Sequence, residues 1–324
     1  MLNFWTKKNA VSYGLLPLGL VYGAVSKLNI FLRSRKAYKS SSCVISIGNI
    51  NVGGTGKTPL TIALAEHLHS QGHKVAIVGH AYKASIEMSE VVDNSFNVEQ
   101  IGDEASQMLK MLPKQVMLIV GKNRLDSVKL AEERGADVIL LDDGYTATYI
   151  TRHVNIVVVD GKVQLGNQFV MPAGPLREPI SGLNRSDCLV VINRHRTLDF
   201  AYDDKTFYLK TKISYSDKLT TKSLFAFCGL GVPSKFYNSL NKEGLCLQET
   251  KSFADHHSYT DQDISKLVMQ AKQQKLQLVT TFKHIVKIDS KYHDDIQAVE
   301  LKLELTKAIK SFLEQKIADF VNKK

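Results

Sequence analysis

The chain has 324 residues, 44% of them hydrophobic and 23% charged, an ordinary globular composition that argues against a disordered chain or one spread through a membrane. Lys and Arg number 42 against 32 Asp and Glu, and the resulting charge of +10 suits an anionic partner: nucleic acid, an acidic leaflet or a phosphorylated substrate. Cys43, Cys188, Cys228 and Cys246 stand too far apart for a paired zinc site or a compact disulfide framework, so a reducing cytosol is expected, with Cys188 and Cys228 buried as small hydrophobes.

Residues 15–25 form an apolar run of 11 residues that follows Lys7 and Lys8 and contains Pro17, Gly19 and Gly23. It is too short for a span of ~20 residues. A signal peptide, a core helix and an anchor lying in the membrane interface all fit the run. The anchor is preferred, with Arg33, Arg35, Lys36 and Lys39 facing acidic headgroups.

Short runs rich in Val and Ile follow at 43–48, 74–79, 115–121, 137–143, 154–160 and 187–193, each the length of a strand buried on both faces. Helical patterns at 59–69, 104–112 and 122–134 lie between several of them. This alternation predicts an α/β fold, a parallel sheet covered by helices. From 197 to 222 the chain turns polar and lysine-rich, so a domain boundary is expected there. The divisions are 1–39, an amino-terminal membrane-associating segment with an apolar helix; 40–205, a P-loop domain; and 206–324, a smaller α/β domain.

The first strand runs into Asn51-Val52-Gly53-Gly54-Thr55-Gly56-Lys57-Thr58 and then a helix, the context a P-loop requires. Glycines let backbone N–H groups converge on phosphate oxygens, and the helix adds its positive dipole end. Lys57 is placed to reach the β- and γ-phosphates of ATP, and Thr58 to bind Mg²⁺. Asn51 stands where the strict pattern has Gly; Asn tolerates left-handed backbone geometry. At 137–144 an apolar strand delivers Asp142 and Asp143 to the sheet edge, as a Walker B strand presents carboxylates to Mg²⁺. A plain Asp-Gly turn is the competing reading.

These motifs, with Gly102-Asp103-Glu104, Leu141-Asp142-Asp143-Gly144-Tyr145 and Pro172-Ala173-Gly174-Pro175-Leu176-Arg177-Glu178-Pro179, resemble the tetraacyldisaccharide 4′-kinase family over nearly the whole chain. The resemblance implies a P-loop NTPase-like kinase that transfers the γ-phosphate of ATP to the 4′-hydroxyl of a lipid A disaccharide precursor. It implies peripheral residence on the cytoplasmic side of the inner membrane, and no nucleic acid as partner. It implies that Asp103 is the base and His256 its partner, that Asp142, Asp143 and Glu178 surround Mg²⁺ with Thr58, and that Arg177 steadies phosphate charge. With Asp103 and His256 in different domains, the smaller domain is expected to close over substrate.

Alone, Asp103 reads as a helix N-cap, the His256–His257 pair as solvated and Arg124 as a solvated arginine, while Arg177 and Glu178 read equally as a surface ion pair. The chain departs from the family at Gly79-His80-Ala81-Tyr82-Lys83, where Ser-Arg-Gly-Tyr-Gly is usual, at Tyr145-Thr146-Ala147, at Ala105, and at Phe282 and His284. Altered substrate or nucleotide contacts are the expected consequence. The competing functions are a soluble P-loop ATPase of partition or metallochaperone type and a non-catalytic nucleotide-binding protein at the membrane.

Overall fold

The computed structural model describes residues 3–81, 84–202, 204–215, 219, 223–254 and 257–323. The chain divides into two compact units, Met1–Lys210 with Leu303–Lys324, and Thr211–Lys302.

The first unit begins with helices α1 (Ala10–Gly14) and α2 (Leu16–Ser34). It continues through β1 (Cys43–Gly48), α3 (Lys57–Ser70), β2 (Val75–His80), β3 (Glu90–Val92), α4 (Val98–Ile101) and α5 (Asp103–Met111). Then come β4 (Met117–Gly121), α6 (Arg124–Glu133), β5 (Val138–Asp142), β6 (Val154–Asp160), β7 (Cys188–Ile192) and β8 (Lys205–Tyr215). The strands lie in the order β8-β7-β6-β1-β5-β2-β4-β3, parallel except for β3. β1 and β5 are fully buried in the middle, in the register Cys43↔Val138 to Ile47↔Asp142, so the end of β1 and the Walker B carboxylate meet at one edge.

Alternate residues of each central strand face opposite sides, and each side has its own core. Ile45, Ile47, Ile77 and Leu140 pack with Leu60, Leu64 and Leu68 of α3 and Met108 of α5. Val44, Val78, Ile139 and Leu141 pack with Val128 and Ala131 of α6. Val157, Val159, Leu189 and Val191 pack under Leu165, Leu176 and Leu183 of the long connection from β6 to β7.

The second unit contains β9 (Ser223–Cys228), α7 (Pro233–Lys242), β10 (Cys246–Ser252), α8 (Asp261–Gln274), β11 (Gln277–Thr281), α9 (Phe282–Ile285) and β12 (Ile296–Glu304). Its strands run parallel in the order β10-β9-β11-β12. Ile264, Leu267 and Val268 of α8 cover one face; Phe236 and Leu240 of α7 cover the other.

Two expectations change, and one alternative reading falls. The polar stretch 197–222 contains an 11-residue strand, β8: its lysines take exposed positions while Leu209 is 1% exposed, so half-burial disguised a strand as a linker. The smaller unit ends at Lys302 rather than at 324, because the last helix, α10 (Lys307–Val321), buries Ile309, Phe312, Leu313 and Ile317 in the core of the first unit. The amino-terminal run is not a core helix: α2 buries only Gly19 and Gly23, while Leu18, Leu20, Val21, Tyr22, Val25, Leu28, Phe31 and Leu32 are exposed. α2 docks by its small residues. A Cβ at Gly19 would lie 2.8 Å from the Val170 carbonyl oxygen, too close without a backbone shift, and one at Gly23 would crowd the Pro179 ring at 3.3 Å. No described helix is long and apolar enough to cross a membrane.

Candidate active site

The loop between β1 and α3 is shaped before any ligand is considered. Asn49 Nδ2 donates to Gly53 O and Thr55 Oγ1, each at 3.3 Å. Gly53 and Gly56 hold φ of 121° and 93°, and Gly56 caps α3, which starts at Lys57. Such backbone turns aim amides outward at the positive end of a helix.

The other half of the loop is a short β-ladder. Asn51 bridges Leu176 antiparallel, Val52 N–H donates to Pro175 O at 2.8 Å, and Arg177 N–H donates to Ile50 O at 2.7 Å. Asn51 is 2% exposed and has no left-handed backbone; it supports the loop from behind rather than replacing a glycine at the phosphate surface. The Ala-Gly-Pro-Leu-Arg-Glu-Pro run is therefore structurally part of the P-loop. That partnership was invisible in the sequence, where more than a hundred residues separate the two segments.

Asp142 and Asp143, adjacent in the chain, are used in opposite ways. Asp142 is 5% exposed; its Oδ2 accepts from Thr58 Oγ1 at 3.0 Å and its Oδ1 from Thr61 Oγ1 at 2.9 Å. Burial is the largest influence on it and pushes its pKa up to about 6 despite the Thr61 hydrogen bond. Asp143 turns outward with φ 50°, facing Lys57 Nζ at 3.5 Å and Arg177 at 3.3 Å. Burial would raise its pKa, but Lys57, Arg177 and Arg124 together outweigh it and hold the carboxyl below its usual range. Thr61 went unnoticed in the sequence, although its place one helical turn beyond Thr58 puts both hydroxyls on one face of α3.

Arg124, at the start of α6, donates to Asp142 O at 3.0 Å, so it belongs to the site and is not a solvated surface residue. Asp103 is the first residue of α5, whose N-cap is Gly102 without a side-chain cap bond; the N-cap reading of Asp103 fails. Glu178 is 1% exposed and pairs with Arg185 at 2.6 Å. No three His, Cys, Asp or Glu side chains among the described residues are grouped to hold a metal, so Glu178 does not join Asp142 and Asp143. It is drawn away by the arginine that stacks over Tyr145, at 5.1 Å. His256 lies outside the described residues, as do Tyr82 and Lys83. Beside the site, α2 and the loops after β5 and β6 enclose a cavity of about 420 Å³ lined by Tyr22, Ser26, Arg33, Arg124, Arg177 and Glu178.

A family profile described as Tetraacyldisaccharide-1-P 4'-kinase matches residues 11–318. The chain belongs to the tetraacyldisaccharide 4′-kinase family. The 4′-kinase of Paramagnetospirillum magneticum is 35% identical over 309 residues, covering 93% of this chain and 93% of its own. That of Bradyrhizobium diazoefficiens is 33% identical over 296 residues, covering 88% and 86%. Among solved structures, an "apo" form of LpxK from Aquifex aeolicus in complex with ATP superposes with a TM-score of 0.78 at 26% identity, covering 94% of this chain and 99% of its own.

Proposed function

We infer that this protein transfers the γ-phosphate of ATP to the 4′-hydroxyl of a tetraacyldisaccharide 1-phosphate, a step of lipid A synthesis. The observation that carries the reading is the convergence of Lys57, Arg177 and Arg124 on Asp143 at the open end of a P-loop, in a chain of the 4′-kinase family. Phosphoryl transfer needs little covalent chemistry from the protein and relies on positioning and charge neutralisation, which three cations gathered beside the loop supply.

Thr58 and Asp142 would hold Mg²⁺. Their hydroxyl and carboxylate oxygens are the hard donors that ion takes, and it completes its shell from phosphate and water, so a protein cluster of three acids is not required. Once bound, the ion supplies further neutralisation of the phosphate oxygens. Lys57 draws charge from the transferring phosphoryl group, Arg177 steadies it from the other side, and Asp143 keeps both cations aimed. Asp103 accepts the proton of the attacking hydroxyl, with His256 as its partner, as the family resemblance implies.

The arginine-lined cavity beside α2 suits the anionic sugar head of the acceptor, and the exposed apolar side of α2 suits acyl chains and the membrane interface. With Arg33, Arg35, Lys36 and Lys39 exposed nearby, we place the protein peripherally on the acidic cytoplasmic leaflet of the inner membrane. Purified protein incubated with γ-labelled ATP, Mg²⁺ and tetraacyldisaccharide 1-phosphate should yield labelled lipid. Free phosphate without labelled lipid would favour the soluble ATPase, and bound ATP without turnover the non-catalytic binder.

A further inference from the structure

The chemistry described so far leaves one buried phenol without a role. Tyr145 stands two residues after Asp143, at a position where the chain departs from its family, and is 1% exposed. Its ring shares a core with Ile50 and Leu176, one from each segment of the ladder behind the phosphate loop. Two guanidinium groups lie over it, Arg185 at 5.1 Å from the ring centroid and Arg152 at 5.8 Å.

The main-chain end of Tyr145 belongs to the Asp143 turn. Arg152 Nη1 donates to Tyr145 O at 2.5 Å, and Gly144 N–H donates to Ile47 O at 3.0 Å. The end of β1 presses on the same point, since a Cβ on Gly48 would lie 2.5 Å from Tyr145 Cβ.

The hydroxyl end belongs to the Arg177 segment. Tyr145 Oη donates to Gly182 O at 2.6 Å, within the 3₁₀ turn at 180–185. Burial pushes the phenol pKa up, so the group stays a donor across the neutral range. Arg185, the last residue of that turn, holds Glu178 at 2.6 Å, and Glu178 follows Arg177 directly in the chain. One side chain thus reaches from the turn that presents Asp143 to the turn behind Arg177, two residues that face each other at 3.3 Å.

Filling the core does not account for the hydroxyl, because phenylalanine would occupy the same volume. A buried hydroxyl is costly unless it is bonded, so the packed core tolerates only a 180–185 turn that offers its carbonyl to Tyr145.

We propose that Tyr145 is a positioning residue for phosphoryl transfer: tied to Arg152 at its carbonyl and to Gly182 at its hydroxyl, it sets the placement of Arg177 against Asp143 without touching substrate. This rests on the kinase reading and on the role of Arg177 in it. Misplacing a group that steadies the transferring phosphoryl by about an ångström costs up to about 100-fold in rate.

The test uses the full chain with γ-labelled ATP, Mg²⁺ and tetraacyldisaccharide 1-phosphate in detergent. Tyr145→Phe keeps the ring and removes the hydroxyl; kcat should fall about tenfold, with KM for ATP within about twofold. In an Arg177→Ala background the same change should cost less than about twofold, since there is no longer a guanidinium to place. A lower melting temperature accompanies either role, but dependence on Arg177 belongs to positioning alone. Arg152→Met keeps a stem over the ring and removes the donor to Tyr145 O; it provides a second probe should Tyr145→Phe fold poorly, and should lower kcat in the same way. Parental kcat in both variants, or a tenfold loss that persists undiminished without Arg177, refutes the positioning role and leaves the kinase reading standing. A parent that labels no lipid, or an Arg177→Ala variant as active as the parent, brings down the underlying reading, and this proposal with it.

Discussion

Asn51 and Leu176 form an antiparallel bridge that joins the phosphate-binding loop to the 172–179 run. The next residue, Arg177, is thereby set down 3.3 Å from Asp143, its backbone amide bonded to Ile50. Two segments far apart in the chain become one hydrogen-bonded ledge. Arg177→Ala should lower kcat roughly a hundredfold with ATP affinity little changed, and Arg177→Lys should recover only part, since an ammonium lacks the planar fork. Transfer assays with parallel ATP titrations check this; full turnover in Arg177→Ala would leave the arginine as a mere partner of Asp143.

Lys57 is the first residue of α3, its side chain 14% exposed and its ammonium group opposite Asp143. Lys57→Ala should cost at least about a hundredfold in transfer, because the phosphoryl group loses its nearest cation in a partly water-excluded site. The effect should appear in kcat with saturating ATP, and normal activity there would remove the P-loop from the mechanism.

The two adjacent aspartates make opposite demands on pH. For Asp142 the folded pKa of about 6 exceeds the unfolded value near 3.8, so the folded chain binds the extra proton. Stability is therefore favoured below the unfolded pKa and declines as pH rises toward 6, by up to about 3 kcal/mol without a bound cation. Asp142→Asn, neutral and of the same shape, should match the parent near pH 4, melt higher at pH 7 to 8, and be inactive. Equal melting temperatures of the two proteins at pH 8 would contradict the burial-driven shift. Mg²⁺ with nucleotide should narrow the difference by stabilising the parent alone.

Asp103 opens α5 as its first residue and is not the cap of that helix. Asp103→Asn should keep the fold and ATP binding yet reduce kcat by at least about a hundredfold, since the amide cannot accept the hydroxyl proton. An unchanged rate would return the residue to a structural role at the helix start.

α2 divides two jobs between its faces. Replacing Leu20, Val21 and Leu28 together by Glu should abolish partition onto vesicles containing anionic lipid while circular dichroism stays unchanged, because these side chains are already exposed. Gly19→Leu should do the reverse. It disturbs docking against the Val170 carbonyl and lowers transfer, leaving vesicle binding in place. Vesicle sedimentation and activity, measured on both variants, separate the two faces.

Much of this was readable in the chain. β1 and β6 fall where the apolar runs 43–48 and 154–160 put them, because strands buried on both faces need unbroken hydrophobic stretches. Lys57, Thr58, Asp142 and Asp143 announced themselves because a P-loop and its acidic strand are local motifs, each fixed by neighbours in sequence. β8 escaped notice because half its residues face water, and α10 was assigned to the wrong unit because amphipathic periodicity tells which face is apolar but not what covers it.

Local hydrogen bonding and hydrophobic period were thus enough to specify the strands, the phosphate loop and the kind of chemistry. Tertiary structure alone decided that Arg177 faces Asp143, that Thr61 shares the Asp142 carboxylate, that Glu178 turns to Arg185, and that α2 docks by glycines with its apolar side outward. The reason is physical: all of these but the Glu178–Arg185 pair depend on a contact between segments distant in the chain, and one-dimensional order carries no record of which surfaces meet.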